Sequence, residues 1–283
     1  MELDIKDIKA AVTKALAEDI GPGDITTLAL IHESKTASGV MIAKEPAVLA
    51  GIRFAEIAFT ELSKDCQVTI LKTDGSKLQK NDPILKVSGP ARALLSAERT
   101  ALNFVQRLSG IATLTSRFVE AIQGTKAKIL DTRKTTPGWR LFEKYAVSCG
   151  GGVNHRIGLF DMILIKDNHL AVLKDAKPNP VFYAITEARK KYPSIKVEVE
   201  VENIQQVAQA IEARADIILL DNMSIDEIKQ SVQLVKGQAK TEASGGVTLK
   251  TVRKIAETGV DFISVGSITH SATAIDIGLD FEV

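Results

Sequence analysis

Six short apolar runs in the second half of the chain end abruptly in charged, amide or glycine residues. They read AKILDTRK (127–134), DMILIKDNH (161–169), KVEVEVEN (196–203), DIILLDN (216–222), AKTEASGG (239–246) and DFISVGSITH (261–270). Helix-length amphipathic stretches separate the later ones. Apolar strands alternating with helices are the pattern of a parallel sheet buried on both faces. The pattern predicts an α/β fold with a β/α barrel, whose active site forms at the C-terminal strand ends. Six visible strands are fewer than a closed barrel of this kind carries. Either the remaining ones are cryptic, as near VNHRIG (153–158), or the barrel is incomplete.

The first half has a different rhythm. Ile5, Ile8, Val12, Leu16 and Ile20 share one helical stripe, predicting a helix over 4–19. GPGDITT then has turn chemistry. From 36 to 90 the apolar pieces are short and separated by Gly, Pro, Asp and Asn, as in mixed β structure. A long helix is predicted from Ala91 to Gln123, with Ser109-Gly110 as a break or kink. The closing AIDIGLDFEV alternates like a strand that returns to the N-terminal part. The expected organisation is a mixed α/β N-terminal domain over 1–110, rejoined by a strand at 274–283, and a barrel over 111–273.

Composition narrows the classes. The 283 residues are 45% hydrophobic and 25% charged, which is ordinary for a globular protein. No run approaches the ~20 apolar residues of a membrane span. The first residues lack the basic-then-apolar layout of a secretory signal. Cys66 and Cys149 are too few for a disulfide framework or zinc site. Cys149 reads as a buried small residue rather than a nucleophile. These features predict a cytoplasmic protein. A net charge of +1 provides no global field for nucleic acid or an anionic membrane. Local charge is another matter: Arg133, Lys134, Arg140, Lys144, His155, Arg156, Lys166 and His169 crowd residues 131–169.

The chemistry sits at the strand ends. Arg133 offers a planar fork for carboxylate and Lys134 a point charge for phosphate, unless both merely solvate a loop. GGGVNHR (150–156) allows close backbone approach and delivers His155 and Arg156 together. It lacks the spacing of a dinucleotide fingerprint. Lys166, ending an apolar run, can form a Schiff base or bind an anion. Its cationic neighbours favour a polyanionic substrate. His169 reads as structural before catalytic. Alternation places Glu198, Glu200 and Glu202 on one strand face. Glu200 and Asp221 form a candidate hard-cation pair for Mg²⁺, or else salt-bridge neighbouring lysines. Ser244, Gly245, Gly246 and Gly266 suit a phosphate held by backbone N–H groups, with His270 as a further donor.

In order along the chain, ERTALNFVQRLSGIAT, DTRKTTPGWRLFEKYAV, GGGVNHRIGLFDMILIKDNH, EVEVEN, LLDN, SGG and GVDFISVGSITH resemble quinolinate phosphoribosyltransferases. That family is also called carboxylating nicotinate-nucleotide pyrophosphorylase. LAEDIGPGDITT and AVLAG match as well, so the resemblance covers nearly the whole chain. It implies an incomplete, seven-stranded β/α barrel with a mixed α/β N-terminal domain. The implied reaction joins quinolinate to phosphoribosyl pyrophosphate with loss of CO₂ and pyrophosphate, giving nicotinate mononucleotide for NAD. The resemblance implies Arg133, His155, Arg156 and Lys166 around quinolinate, with Arg99 supplied by a partner subunit. It implies Lys134, Glu200 and Asp221 at the ribose and pyrophosphate with Mg²⁺, and Ser244, Gly245, Gly246, Gly266 and His270 at the 5′-phosphate. It also implies a homodimer or a trimer of dimers. The rival readings are a same-fold paralogue (molybdenum-transport-associated, or a nicotinate phosphoribosyltransferase), a Lys166 Schiff-base lyase, and a non-catalytic phosphoribosyl-binding sensor.

Overall fold

The computed structural model describes residues 1–282. In chain order the elements are α1 (Ile5–Ile20), α2 (Ile25–Leu30), β1 (Thr36–Ala43), β2 (Ala47–Val48), α3 (Ile52–Leu62), β3 (Gln67–Ile70), β4 (Lys77–Leu78), β5 (Pro83–Pro90) and α4 (Ala91–Ala121). There follow β6 (Lys128–Leu130), α5 (Arg140–Cys149), β7 (Ile163–Ile165), α6 (Asp167–Val172), α7 (Pro180–Lys191), β8 (Val197–Val201), α8 (Ile204–Glu212) and β9 (Ile217–Asp221). The last are α9 (Ile225–Val235), β10 (Lys240–Ser244), α10 (Val252–Ala256), β11 (Phe262–Ser264), α11 (Ser267–His270) and β12 (Ile277–Glu282). Contacts gather these into two compact units. One comprises Met1–Ser116, Thr136–Gly151 and the segment from Ser271 onward; the other comprises Arg117–Thr135 and Gly152–His270.

The first unit is built on a four-stranded sheet ordered β12-β1-β5-β3. The closing strand pairs antiparallel with β1, Met41 facing Leu279. Position 283 lies outside the described residues. On α1 the buried stripe is Ile8, Val12 and Leu16, while Ile5 is exposed. The side chain of Asp4 caps its first turn through Lys6 N–H at 2.9 Å. Within the stretch read as short strands lies α3. Ile52, Phe54, Ala55, Ala58 and Phe59 are its buried face. That spacing is helical, but glycine- and proline-rich neighbours masked it.

Two further features differ from the sequence reading. First, α4 runs unbroken through Ser109-Gly110. Ser109 Oγ accepts the N–H of Ala50 at 3.0 Å. A Cβ on Gly110 would stand 2.1 Å from the Thr273 carbonyl oxygen. The pair is there for close packing. Second, 111–116 and 136–151 cluster with the first unit. Trp139 stacks on Phe104 at 4.9 Å, and Phe142 meets Phe54 edge-on at 5.0 Å. These aromatic contacts anchor α5 there.

The second unit holds a parallel sheet ordered β6-β11-β10-β9-β8-β7. All six expected apolar runs supply its strands. Val197, Val199 and Val201 are fully buried on one face of β8, and Glu198 is fully buried on the other. A parallel bridge between Leu130 and Val153 adds a one-residue seventh position at the β6 edge. It falls where the sequence suggested a cryptic strand. Among the described residues, no strand pairing joins β7 to that position, so the sheet stays open. Side-chain caps start the intervening helices: Asn179 accepts from Phe182 N–H at 2.9 Å, and Asn203 from Gln206 N–H at 3.0 Å. Such caps are each worth about 1 kcal/mol. Because the strands are parallel, their C-terminal ends share one side.

Gly110→Ala separates helix propensity from packing. Propensity alone favours alanine by about 1 kcal/mol. The carbonyl at 2.1 Å opposes it, and overpacking of this kind costs about 1–3 kcal/mol. The expected outcome is a lower Tm in thermal unfolding. A higher Tm would show that Ser271 onward yields freely at that point.

Candidate active site

Residues just past the strands form two adjoining chambers in the second unit. The first, about 230 Å³, is lined by Arg133, His155, Arg156, Lys166, Glu200 and Glu242 among others. The second, about 410 Å³, is lined by Ser244, Gly245, Gly246, Gly266 and His270. Thr132, Lys134, Asp221, Ser244 and Ser264 line both and form the lip between them. The strand ends account for this. Asp221 ends β9 beside Ser244, its register partner on β10. Lys166 follows β7 directly, and Arg133 and Lys134 follow β6.

The loop carrying His155 and Arg156 is tied down by Asp131, which is fully buried. Its carboxylate accepts from Asn154 Nδ2 at 2.7 Å and from His155 N–H at 2.8 Å. Arg156 donates to the Met162 carbonyl at 3.1 Å. Burial pulls its guanidinium below the ordinary value; Arg133 adds to this, and Glu198 and Asp161 oppose it. The buried Nε atoms of Arg133 and Arg156 make no hydrogen bond. Two converging guanidinium groups with spare donors suit an anion carrying more than one charge.

Acids complete the chamber. Glu200 is half-buried, and its carboxyl is raised by burial, then by Asp221, with Lys166 opposing. Glu198 and Glu242 are fully buried. Burial raises both; Glu242 is raised further by Glu198. Glu242 accepts a short hydrogen bond from Ser264 Oγ. In the second chamber Gly245 has φ +96°, and a Cβ there would stand 2.1 Å from Asn222 Oδ1. Only glycine turns the chain so closely at this point.

The structure thus gathers most of the residues expected at a site. His169 Nδ1 accepts the Lys166 N–H at 2.8 Å, capping α6. Arg140 and Lys144, part of the cation cluster read from sequence, belong to α5 in the first unit. Arg99 is exposed on α4 and does not appear among the residues lining either chamber. Sequence reasoning passed over Asp131, Glu242 and Ser264. The only signal for Glu242 was an acid interior to a buried run, KTEAS.

The raised acids give a pH test. A carboxyl held above its unfolded value favours folding when protonated. That stability is present below the unfolded value and is lost as pH rises through the folded one. Glu242→Gln removes the charging step. The variant's Tm relative to wild type should therefore climb from pH 5 to pH 9, at about 2–4 °C per kcal/mol for a chain this size. A constant difference across that range would contradict the burial account.

Comparison with known proteins agrees with the geometry. The profile of the quinolinate phosphoribosyl transferase N-terminal domain matches residues 24–109, and that of the C-terminal domain matches 111–280. A probable nicotinate-nucleotide pyrophosphorylase [carboxylating] of Bacillus subtilis is 42% identical over 274 residues, covering 96% of this chain and 93% of the relative. A nicotinate-nucleotide pyrophosphorylase [carboxylating] of Mycobacterium leprae is 43% identical, covering 95% of each chain. The solved nicotinate-nucleotide pyrophosphorylase of Francisella tularensis superposes with a TM-score of 0.93 at 43% identity, over 99% of this chain and 98% of that one. With strand-end chemistry, both domain profiles and full-length relatives in agreement, the chain belongs to the quinolinate phosphoribosyltransferase family.

Proposed function

We infer that the cation chamber takes quinolinate, the glycine-rich chamber takes the 5′-phosphate of phosphoribosyl pyrophosphate, and the two react across the shared lip. The protein is a nicotinate-nucleotide pyrophosphorylase (carboxylating) of NAD biosynthesis. The observation that carries the division of the site is the pair of chambers with Lys134 and Asp221 common to both.

In this reading Arg133, Arg156 and Lys166 hold the two ring carboxylates and aim the ring nitrogen at the ribose. The nitrogen lone pair forms the bond to C1, and the C1–O electrons leave with pyrophosphate. Lys134 faces the charge building on the leaving group, and Asp221 or Glu200 faces the charge building on the sugar. The C2–carboxylate bond then breaks. Its electrons stay on C2, next to a positive ring nitrogen, until a solvent proton replaces CO₂. Glu200 in the first chamber and Asp221 at the lip suit Mg²⁺, being half-buried oxygen donors. When bound, Mg²⁺ would add positive charge at the pyrophosphate.

We also propose a homodimer, alone or within a trimer of dimers, in which exposed Arg99 completes the quinolinate site of the second copy. The unpaired Cys66 and Cys149 suit the reducing cytoplasm, where we place the enzyme. Among the described residues no helix is long and apolar enough to cross a membrane.

Incubation with quinolinate, phosphoribosyl pyrophosphate and Mg²⁺ should give nicotinate mononucleotide and CO₂ in equal amounts. Arg99→Ala and Lys134→Ala should each be nearly inactive. Mixed equally and allowed to exchange, they should recover roughly a quarter of wild-type activity, since about half the dimers carry one intact site. No recovery despite proven exchange would remove Arg99 from the partner's site.

A further inference from the structure

His155, Glu198 and Glu242 meet at the wall of the cation chamber, and the reaction as described uses neither of the latter two. His155 Nε2 lies 3.0 Å from Glu198 Oε2 and 3.6 Å from Glu242 Oε1. The histidine side chain is 8% exposed. Both acids are fully buried. Both oxygens of Glu198 and Oε2 of Glu242 lack a hydrogen bond of good geometry, the 3.0 Å contact included.

Two kinds of device have this composition. One is a metal site, since the donor atoms lie within 4.8 Å of one another. The other is an anchor for the imidazole. The second ring nitrogen decides between them. His155 Nδ1 accepts the backbone N–H of Arg156 at 2.7 Å. An N–H aimed at Nδ1 requires a lone pair there, so the ring hydrogen sits on Nε2. A nitrogen that carries hydrogen has no lone pair for a metal. The same contact disfavours the doubly protonated ring, which would place two hydrogens face to face.

We propose that Glu198 and Glu242 are positioning residues that hold His155 as its neutral Nε2–H tautomer, and that His155 in turn holds the backbone of Arg156 for quinolinate binding. His155 then adds no positive charge to the site; its part differs from that of Arg133, Arg156 and Lys166. The rest of the surroundings fit. Asp131 fixes the His155 backbone at 2.8 Å, and Ser264 fixes Glu242 by its short bond. The proposal rests on the quinolinate reading of the chamber for its kinetic consequence, but the tautomer stands apart from it.

The test has three arms on the full-length enzyme. Long-range ¹H–¹⁵N spectra of the histidines, with His155 assigned by its loss in His155→Gln, should show Nδ1 bare and Nε2 protonated. A bare Nε2 or a doubly protonated ring overturns the proposal, whatever the glutamate variants do. In kinetics, Glu198→Leu should raise KM for quinolinate about tenfold, as the close Glu198–His155 contact is lost and the imidazole is freed to leave the Arg156 N–H. KM for phosphoribosyl pyrophosphate should stay within about threefold, because the contact lies at the wall of the other substrate's chamber. Glu198→Gln, which keeps a carbonyl acceptor, should restore most of the quinolinate affinity. A folded Glu198→Leu with unchanged KM for quinolinate overturns the positioning role while leaving the enzyme's function intact. Wild-type protein that never turns over quinolinate sinks the functional reading instead, and the spectra still judge the tautomer. Finally, Mn²⁺ alone should bind no more weakly to His155→Ala than to wild type; loss of a site in that variant would make the trio a metal centre.

Discussion

Arg133, Arg156 and Lys166 share a chamber of about 230 Å³, and the repulsion between its two guanidinium groups is the constraint around which the site is built. Burial and Arg133 both push the Arg156 guanidinium toward losing its charge; Glu198 and Asp161 hold it. Removing charge from water costs several kcal/mol per ion, and only paired, hydrogen-bonded neighbours offset that. Here the offset is partial, because the Nε atoms of both arginines stay unpartnered inside the protein. In the proposed reading, the two carboxylates of quinolinate complete that offset.

The second chamber solves a different problem with backbone. Gly245 and Gly246 both have positive φ, which lets the chain after β10 turn tightly against Asn222. Lys134 lies at the lip, and its side chain packs 3.1 Å from the position a Cβ on Gly266 would take. A bulkier residue there would displace the one cation common to both chambers. Charge thus selects on one side and shape on the other, with Asp221 and Lys134 between them.

Much of this was legible in the chain because parallel strands buried on both faces read as plain apolar runs, and a charge directly after such a run has few places to go. The six strands, three of the lip residues (Lys134, Asp221 and Ser244) and the glycine loops follow from that. What stayed hidden depended on tertiary partners. The seventh strand position, only suspected near 153–158, is a single bridge at Val153, too short to leave more of a pattern. Trp139 stacks on Phe104 and Phe142 meets Phe54 edge-on, carrying α5 into the first unit through contacts that no local spacing announces. Glu242 and Asp131 look like ordinary strand residues until the fold shows them fully buried beside His155 and its loop. His155 itself was visible as a motif residue, but its charge state is set by the Arg156 N–H and the acids around it.

The central claim is that a surplus of cationic charge in one chamber reads two adjacent carboxylates. The most direct measurement is the ratio of kcat/KM for quinolinate to that for nicotinate, with phosphoribosyl pyrophosphate saturating. Each unpaired charge-assisted hydrogen bond is worth roughly 1.5–3 kcal/mol. The account therefore predicts a preference for quinolinate of at least about tenfold, and over a hundredfold if two such bonds are lost. Comparable values for the two acids would contradict it.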